Sequence, residues 1–297
     1  MPLFTESKRP FNCASPNDMY KMHKAIHVNR IGLNIVKKIT KINLPTSVKT
    51  NYDFVNFVKR SNVFCYVVNN IPSVSNGEVF ECLLIDGNQA WIEKDHVGNY
   101  RYFTKTTRAT NALGLDIFQL FQLLNPVDVL SRKSFLLARR EITNLLDADY
   151  EEFNWEKGQI AKYKINIEII NRPAFCFIDN HIAKVIENHK DILLLLNQVG
   201  MKNISIKQKS IHNESPFHIS MNSLSEILAC STWEVSDAIS RLRDVGLLNV
   251  FKSEELPENH VNPDYPSLPY NLYTIPFYNE LLINAISEKI TEEVRHA

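Results

Sequence analysis

Apolar positions recur along this chain with two different periods, and the changes of period divide it into candidate elements. Residues 17–42 read as a helix closed by Pro45. Residues 51–60 form a short amphipathic segment with Phe54, Val55, Phe57 and Val58. Four stretches rich in Val, Phe, Tyr and Trp follow, at 63–68, 78–85, 89–94 and 100–105, and read as strands. The signals Ser75-Asn76-Gly77, Asp86-Gly87-Asn88 and Gly98-Asn99 mark turns between them. Residues 114–124 return to a helical pattern. After Asn125-Pro126, with Asn as cap and Pro as first helical residue, another helix runs to about Asp147. Residues 151–156 read as an acidic break, and 160–170 fit both periods and are taken as helix. No internal repeat or low-complexity stretch is visible.

The sharpest local pattern lies between residues 181 and 277. Ile182, Val185, Ile186, Ile192, Leu193 and Leu196 predict a helix over 181–199, with Gly200 at a stop position. Ser223 and Glu226 have the spacing of a capping box, and Ser231 and Glu234 repeat it eight residues later. Two helix starts so close together require a short helix, a turn near 229–231 and a second helix. In that second helix Val235, Ala238, Ile239 and Leu242 fall on one stripe, and Gly246 ends it. Strands are expected at 247–251 and 270–276, joined by a loop holding Pro257, Pro263, Pro266 and Pro269. Helix, helix, helix, strand, loop, strand is a winged-helix order. The stretch SLSEILACSTWEVSDAISRLRDVGLLNVF resembles the winged-helix domains of bacterial regulators and replication initiators, and the likeness covers about a third of the chain.

That resemblance implies a recognition helix whose N-terminal residues meet base edges in a major groove. The face opposite the apolar stripe carries Trp233, Ser236, Asp237, Ser240 and Asp244, with Arg241 and Arg243 on its flanks. Candidate DNA contacts are therefore Ser231, Thr232, Trp233, Ser236, Ser240, Arg241 and Arg243. The two aspartates are unwelcome beside phosphates, although one can accept from cytosine N4. Lys252 in the first strand, and Lys207 and Lys209 upstream, are candidate phosphate contacts.

A fainter outline lies in ECLLIDGNQAWIEKDHVGNYRYFTKTTRATNALGLDIFQLFQLL. It is similar to the zinc ribbon that opens bacterial replicative primases. There a Cys/His pair, a hairpin, a Cys/Cys pair and a glycine–acid step lead into an apolar helix. Cys82 matches the first ligand, Ile85 stands where His is expected, and Tyr102 and Lys105 replace the later cysteines. Gly114 and Asp116 match the glycine–acid step. One thiolate cannot hold zinc, so such a fold must be held by packing of Trp91, Tyr100, Tyr102 and Phe103. Those aromatics, with Arg101, Lys105 and Arg108, would suit single-stranded DNA. The competing expectation is a small α+β domain whose aromatics are core.

Charge sharpens this picture. Across 297 residues, 33 Lys and Arg balance 33 Asp and Glu. Residues 1–140, however, carry a net +9 and residues 141–297 a net −9. A basic lobe suits a polyanion, with Lys37, Lys38 and Lys41 as candidate phosphate contacts. Mutual attraction of the two halves would use the same charges.

The eight glycines exclude a good deal, because the closest two, Gly77 and Gly87, stand ten positions apart. Walker A, dinucleotide-binding and nucleophile-elbow motifs all need closer spacing. The five cysteines are scattered, none in a C-x-x-C pair, and read as thiols of a reducing compartment. His23 and His27 have an i, i+4 metal spacing but lack the glutamate between and a nearby third ligand. The first residues lack a signal-peptide core, and the longest strictly apolar run, 192–196, is too short to span a bilayer. A cytoplasmic protein without membrane contact is expected.

The expected fold is α+β. A basic α+β domain with a small antiparallel sheet occupies 1–125, a helical middle 126–180, and a winged helix with a C-terminal helix 181–297. The expected function is non-enzymatic DNA binding, without a cofactor or metal, in replication of a plasmid, phage or other mobile element. The partner would be single-stranded, forked or duplex DNA, with a helicase or polymerase as protein partner. Leu281, Ile283, Ile286, Ile290 and Val294 would offer a homodimer surface. A transcriptional regulator and a protein-binding adaptor are the alternatives.

Overall fold

The computed structural model describes residues 12–13, 15, 39–69, 71–73, 77–85, 87–104, 112–124, 131–173, 180–204, 207, 210–252 and 271–279. The fold is mixed α+β, and the chain divides into two compact units, Met1–Glu151 and Glu152–Ala297.

The first unit is built on a sheet in which β2 (Val79–Glu81), β3 (Gln89–Lys94), β4 (Tyr100–Thr104) and β5 (Leu113–Leu115) run antiparallel. A two-residue strand, β1 (Asn12–Cys13), joins the β5 edge in parallel. In one register row Trp91 faces Phe103, and Phe103 faces Gly114. The two rings stack at 5.6 Å, and a Cβ at Gly114 would stand 2.5 Å from the Phe103 ring, so only glycine fits. Tyr102, Phe103 and Thr104 are all buried, so both faces of β4 are covered.

Three helices accompany this sheet in the unit. A reciprocal Thr50–Asp53 capping box starts α1 (Asn51–Arg60), which buries Phe54 and Val58. Phe54 stacks on Tyr150 at 5.0 Å, and the Tyr150 hydroxyl donates to Asn51 at 2.8 Å. The stretch expected as a strand at 63–68 is instead a single helical turn, α2 (Phe64–Val67). Its Val and Phe content reports burial of Val63, Phe64, Val67 and Val68, not an extended backbone. The helix expected from Gly114 starts later, as α3 (Ile117–Leu124). Asp116 and Gln119 exchange side-chain and backbone hydrogen bonds at 2.8 and 2.9 Å, which fixes the start and leaves Gly114 in β5.

The fourth helix, α4 (Arg132–Leu145), is capped by Ser131, whose extended backbone precludes a helix running through from Pro126. The first expected helix falls mostly outside the described residues, but 39–42 are not helical. There Thr40 and Ile42 donate to the Leu145 and Leu146 carbonyls at 2.8 and 3.1 Å.

In the second unit the expected acidic break is the first turn and a half of a 20-residue helix, α5 (Glu151–Ile170). Its buried stripe includes Glu152, Glu156, Gln159, Lys162 and Asn166, a polar seam with no hydrophobic period to announce it. Gln159 donates to the Asn213 carbonyl and accepts from the Ser215 amide, and Lys162 pairs with Glu214. Asn166 donates to the Pro276 carbonyl at 2.8 Å and accepts from the Tyr278 amide at 2.7 Å.

The single helix expected over 181–199 is two, α6 (Asn180–Asn188) and α7 (Lys190–Lys202), broken at His189. Gly200 does not stop α7 but lies within it, where a Cβ would stand 2.7 Å from the Tyr163 ring. Next come α8 (Met221–Leu228) and α9 (Thr232–Asp244). Ser220, not Ser223, caps α8, accepting the Ser223 amide at 3.0 Å. Ala229, in the left-handed region at φ 50°, turns the chain between them. The Ser231–Glu234 capping box forms as expected, and Val235, Ala238, Ile239 and Leu242 are buried.

Gly246, at φ 73°, follows α9 and leads into the antiparallel hairpin of β6 (Asn249–Lys252) and β7 (Asn271–Thr274). Phe217, just before α8, adds a backbone partner to β7 through paired bonds of 2.9 and 2.8 Å with Tyr273. Among the described residues no helix is long and apolar enough to cross a membrane.

Candidate nucleic-acid interface

The α9 face turned to solvent begins at its cap. Ser231, Thr232, Trp233, Glu234 and Ser236 are exposed, and Ser240 is half-buried. Trp233, at 74% exposed, is an aromatic ring displayed to solvent at the second position of a helix. Ile227, 60% exposed near the end of α8, lies on the other side of the turn. The N-terminal end of α9 is occupied by its own acid. Glu234 accepts from the Ser231 hydroxyl and amide, each at 2.7 Å, and these bonds hold its carboxyl below its usual range.

Both arginines of the face are already paired on the same helix. Arg241 Nε lies 2.8 Å from Asp237 Oδ2, at i, i+4 spacing, and Arg243 lies 3.1 Å from Asp244 Oδ1. Arg243 also donates to the Ser240 hydroxyl at 3.3 Å. Glu234, Asp237 and Asp244 thus stand against Arg241 and Arg243, so the face carries no excess of positive charge. These pairs are exposed and screened by solvent, weak enough for a phosphate to displace the carboxylate. The half-buried His189 imidazole is pushed down by burial and by Arg241, against the opposing pull of Asp237. Lys252, at the end of β6, is exposed, and Lys207 is half-buried.

In the first unit Lys41 is exposed, whereas Lys37, Lys38, Lys105 and Arg108 lie outside the described residues, as do His23, His27 and, in the second unit, Lys209. Arg101 is engaged structurally. Its Nε lies 2.9 Å from Asp95, and its guanidinium reaches Asp116 at 3.8 Å and Gln119 at 3.4 Å. Lys59 meets the same Asp116 at 2.9 Å. This cluster ties the β3–β4 turn to the start of α3 and leaves Arg101 little reach for a phosphate. Trp91, Tyr102 and Phe103 are core, and the Tyr100 ring lies under the Lys94 ammonium at 5.0 Å. Among the described residues of this unit, the exposed aromatics are Tyr52 on α1 and Tyr66 on α2, neither of which the sequence singles out as a site. The helical phase of 51–60, set opposite Phe54 and Val58, was the signal for Tyr52.

Cys82 and Tyr102, the positions matched to the first and third ribbon ligands, are neighbours. The Tyr102 hydroxyl lies 3.4 Å from the Cys82 sulfur and accepts from the Leu83 amide at 2.8 Å. Thr104 donates to the same sulfur at 3.1 Å. Burial, reinforced by Cys82, pushes the Tyr102 hydroxyl far up and keeps it a proton donor. Among the described residues no three His, Cys, Asp or Glu side chains are grouped to hold a metal. Comparison with protein-family models, with curated proteins and with solved structures found no match for this chain.

Proposed function

We propose that this protein is a non-enzymatic DNA-binding protein that serves replication of a plasmid, phage or other mobile element, with its second unit a winged helix. The observation that carries this reading is the order α7, Phe217, α8, α9, β6, β7, with Phe217 and β6 both bonded to β7. That order supports α9 as the recognition helix and the β6–β7 hairpin as the base of a wing. The exposed Thr232, Trp233 and Ser236 would approach base edges, and Arg241, Arg243 and Lys252 would contact phosphates. The replication role draws support from the first unit. The Cys82 sulfur and the Tyr102 hydroxyl lie 3.4 Å apart, and Asp116 caps α3 two residues after Gly114 in β5, a juxtaposition compatible with the primase-type outline. The basic lobe would add phosphate contacts, while the winged helix reads an origin or recruits a helicase or polymerase.

The test is duplex binding by the Arg241→Ala/Arg243→Ala and Trp233→Ala variants. The arginine pair should weaken binding at least tenfold and lower the salt slope by about 2, and Trp233→Ala should weaken it with the slope unchanged. Wild-type affinity in both would remove α9 from the DNA interface. A protein-docking use of the same face is favoured by one observation, the exposure of Trp233 and Ile227 while Arg241 and Arg243 are paired with Asp237 and Asp244. It predicts that neither variant alters DNA affinity.

A further inference from the structure

We infer that the solvent face of α1, together with the exposed Tyr66 on α2, is a stacking platform for a single strand of DNA. This inference rests on the DNA-binding reading above, which supplies the choice of polymer, and it assigns the strand to residues in the other unit. Tyr52, Asn56 and Arg60 fall at i, i+4 and i+8, opposite the buried Phe54 and Val58. They form one stripe about 12 Å long. Tyr52 is 76% exposed, Arg60 is exposed, and Tyr66 on the next short helix is 46% exposed. A large aromatic ring left this open forgoes the burial that holds Trp91, Tyr102 and Phe103 in the core of the same unit.

Charge argues for the same occupant. Residues 39–69 hold four cations, Lys41, Lys49, Lys59 and Arg60, and one acid, Asp53. Lys41 and Lys49 are exposed, whereas Lys59 is committed to Asp116. Asp53 is turned to its own helix start, accepting from the Thr50 hydroxyl at 2.8 Å and from the Thr50 amide at 3.0 Å. Those bonds hold its carboxyl below the usual range and direct its charge at the N-terminal amides. Open aromatic faces among exposed cations are what an unstacked polyanion needs: bases lie on the rings, and the backbone tracks the ammonium and guanidinium groups. Paired bases of a duplex present no such faces.

The experiment measures anisotropy of the full-length protein with a labelled 20-nucleotide oligothymidine and with a matched duplex. The variants are Tyr52→Ala/Tyr66→Ala, Tyr52→Phe/Tyr66→Phe and Arg60→Ala. The alanine pair should lose at least tenfold in oligothymidine affinity with an unchanged salt slope and unchanged duplex binding, and the phenylalanine pair should retain affinity. Arg60→Ala should lower the single-strand slope by about 0.7. Tyr52 is exposed enough for Tyr52→Ala to fold normally, which thermal unfolding checks. Wild-type oligothymidine affinity in the alanine pair would overturn the platform alone, as would binding of duplex without oligothymidine. Absence of binding to either form would overturn the platform and the DNA reading together.

Discussion

Gly200 illustrates how one residue can carry either of two messages. Read as punctuation, it closes a helix; in the fold it lies inside α7, and a side chain there would meet the Tyr163 ring at 2.7 Å. Tyr163 is buried in the second unit's core and cannot retreat freely. Gly200→Ala is therefore expected to destabilise the protein by about 1–3 kcal/mol, seen as a lower denaturant midpoint. A wild-type midpoint would mean that the helices separate at no cost. Gly114 carries the close-approach message in the first unit, against Phe103. Sequence could place both glycines but not tell a turn from a contact, because the deciding partner lies 37 positions away for Gly200 and 11 for Gly114. The setting of Arg101 was hidden for the same reason. Its charge was visible, whereas its capture by Asp95 and Asp116 depends on a sheet bringing three segments together.

At the scale of elements, legibility followed the hydrophobic period. The α9 stripe and its capping box could be read because burial of Val235, Ala238, Ile239 and Leu242 imposes a helical spacing. The strands β3 and β4 were equally clear, with Gly98 turning between them. The first half of α5 was opaque, since its buried positions include Glu152, Glu156, Gln159 and Lys162, and Glu152, Gln159 and Lys162 take partners from residues 207–215. Polar groups buried with partners leave no apolar signature. The turn between α8 and α9 makes its own prediction. Ala229 holds a left-handed conformation that costs an L-residue roughly 1–2 kcal/mol, so Ala229→Gly should raise stability by about 0.5–1 kcal/mol. Ser231→Ala should lower it by about 1 kcal/mol through loss of the α9 cap. Chemical denaturation measures both. Shifts of the opposite sign would show that this turn and cap are not what sets the α9 start.

At the scale of the whole molecule, the basic and acidic halves set out in the sequence acquire different meanings. In the first unit some cations are consumed internally, as Arg101 and Lys59 are by Asp116, while Lys41, Lys49 and Arg60 remain exposed. In the second, α9 offers an exposed aromatic, hydroxyl groups and arginines held by weak ion pairs. On the proposed reading the two units divide the work, with phosphate attraction and base stacking in the first and base-edge contact in the second. That division was only partly legible, because net charge counts residues whether or not an internal partner holds them.

The central claim is that DNA is the partner. It is tested most directly by binding of the wild-type protein to matched single-stranded, duplex and forked DNA across a salt series. The account predicts binding that weakens steeply as salt rises, with the log–log slope counting the phosphates contacted. A preference for single strands or forks would favour replication, and a preference for a palindromic duplex would favour regulation of transcription. No binding to any form at low salt would contradict the account and leave the α9 face as a docking surface for protein.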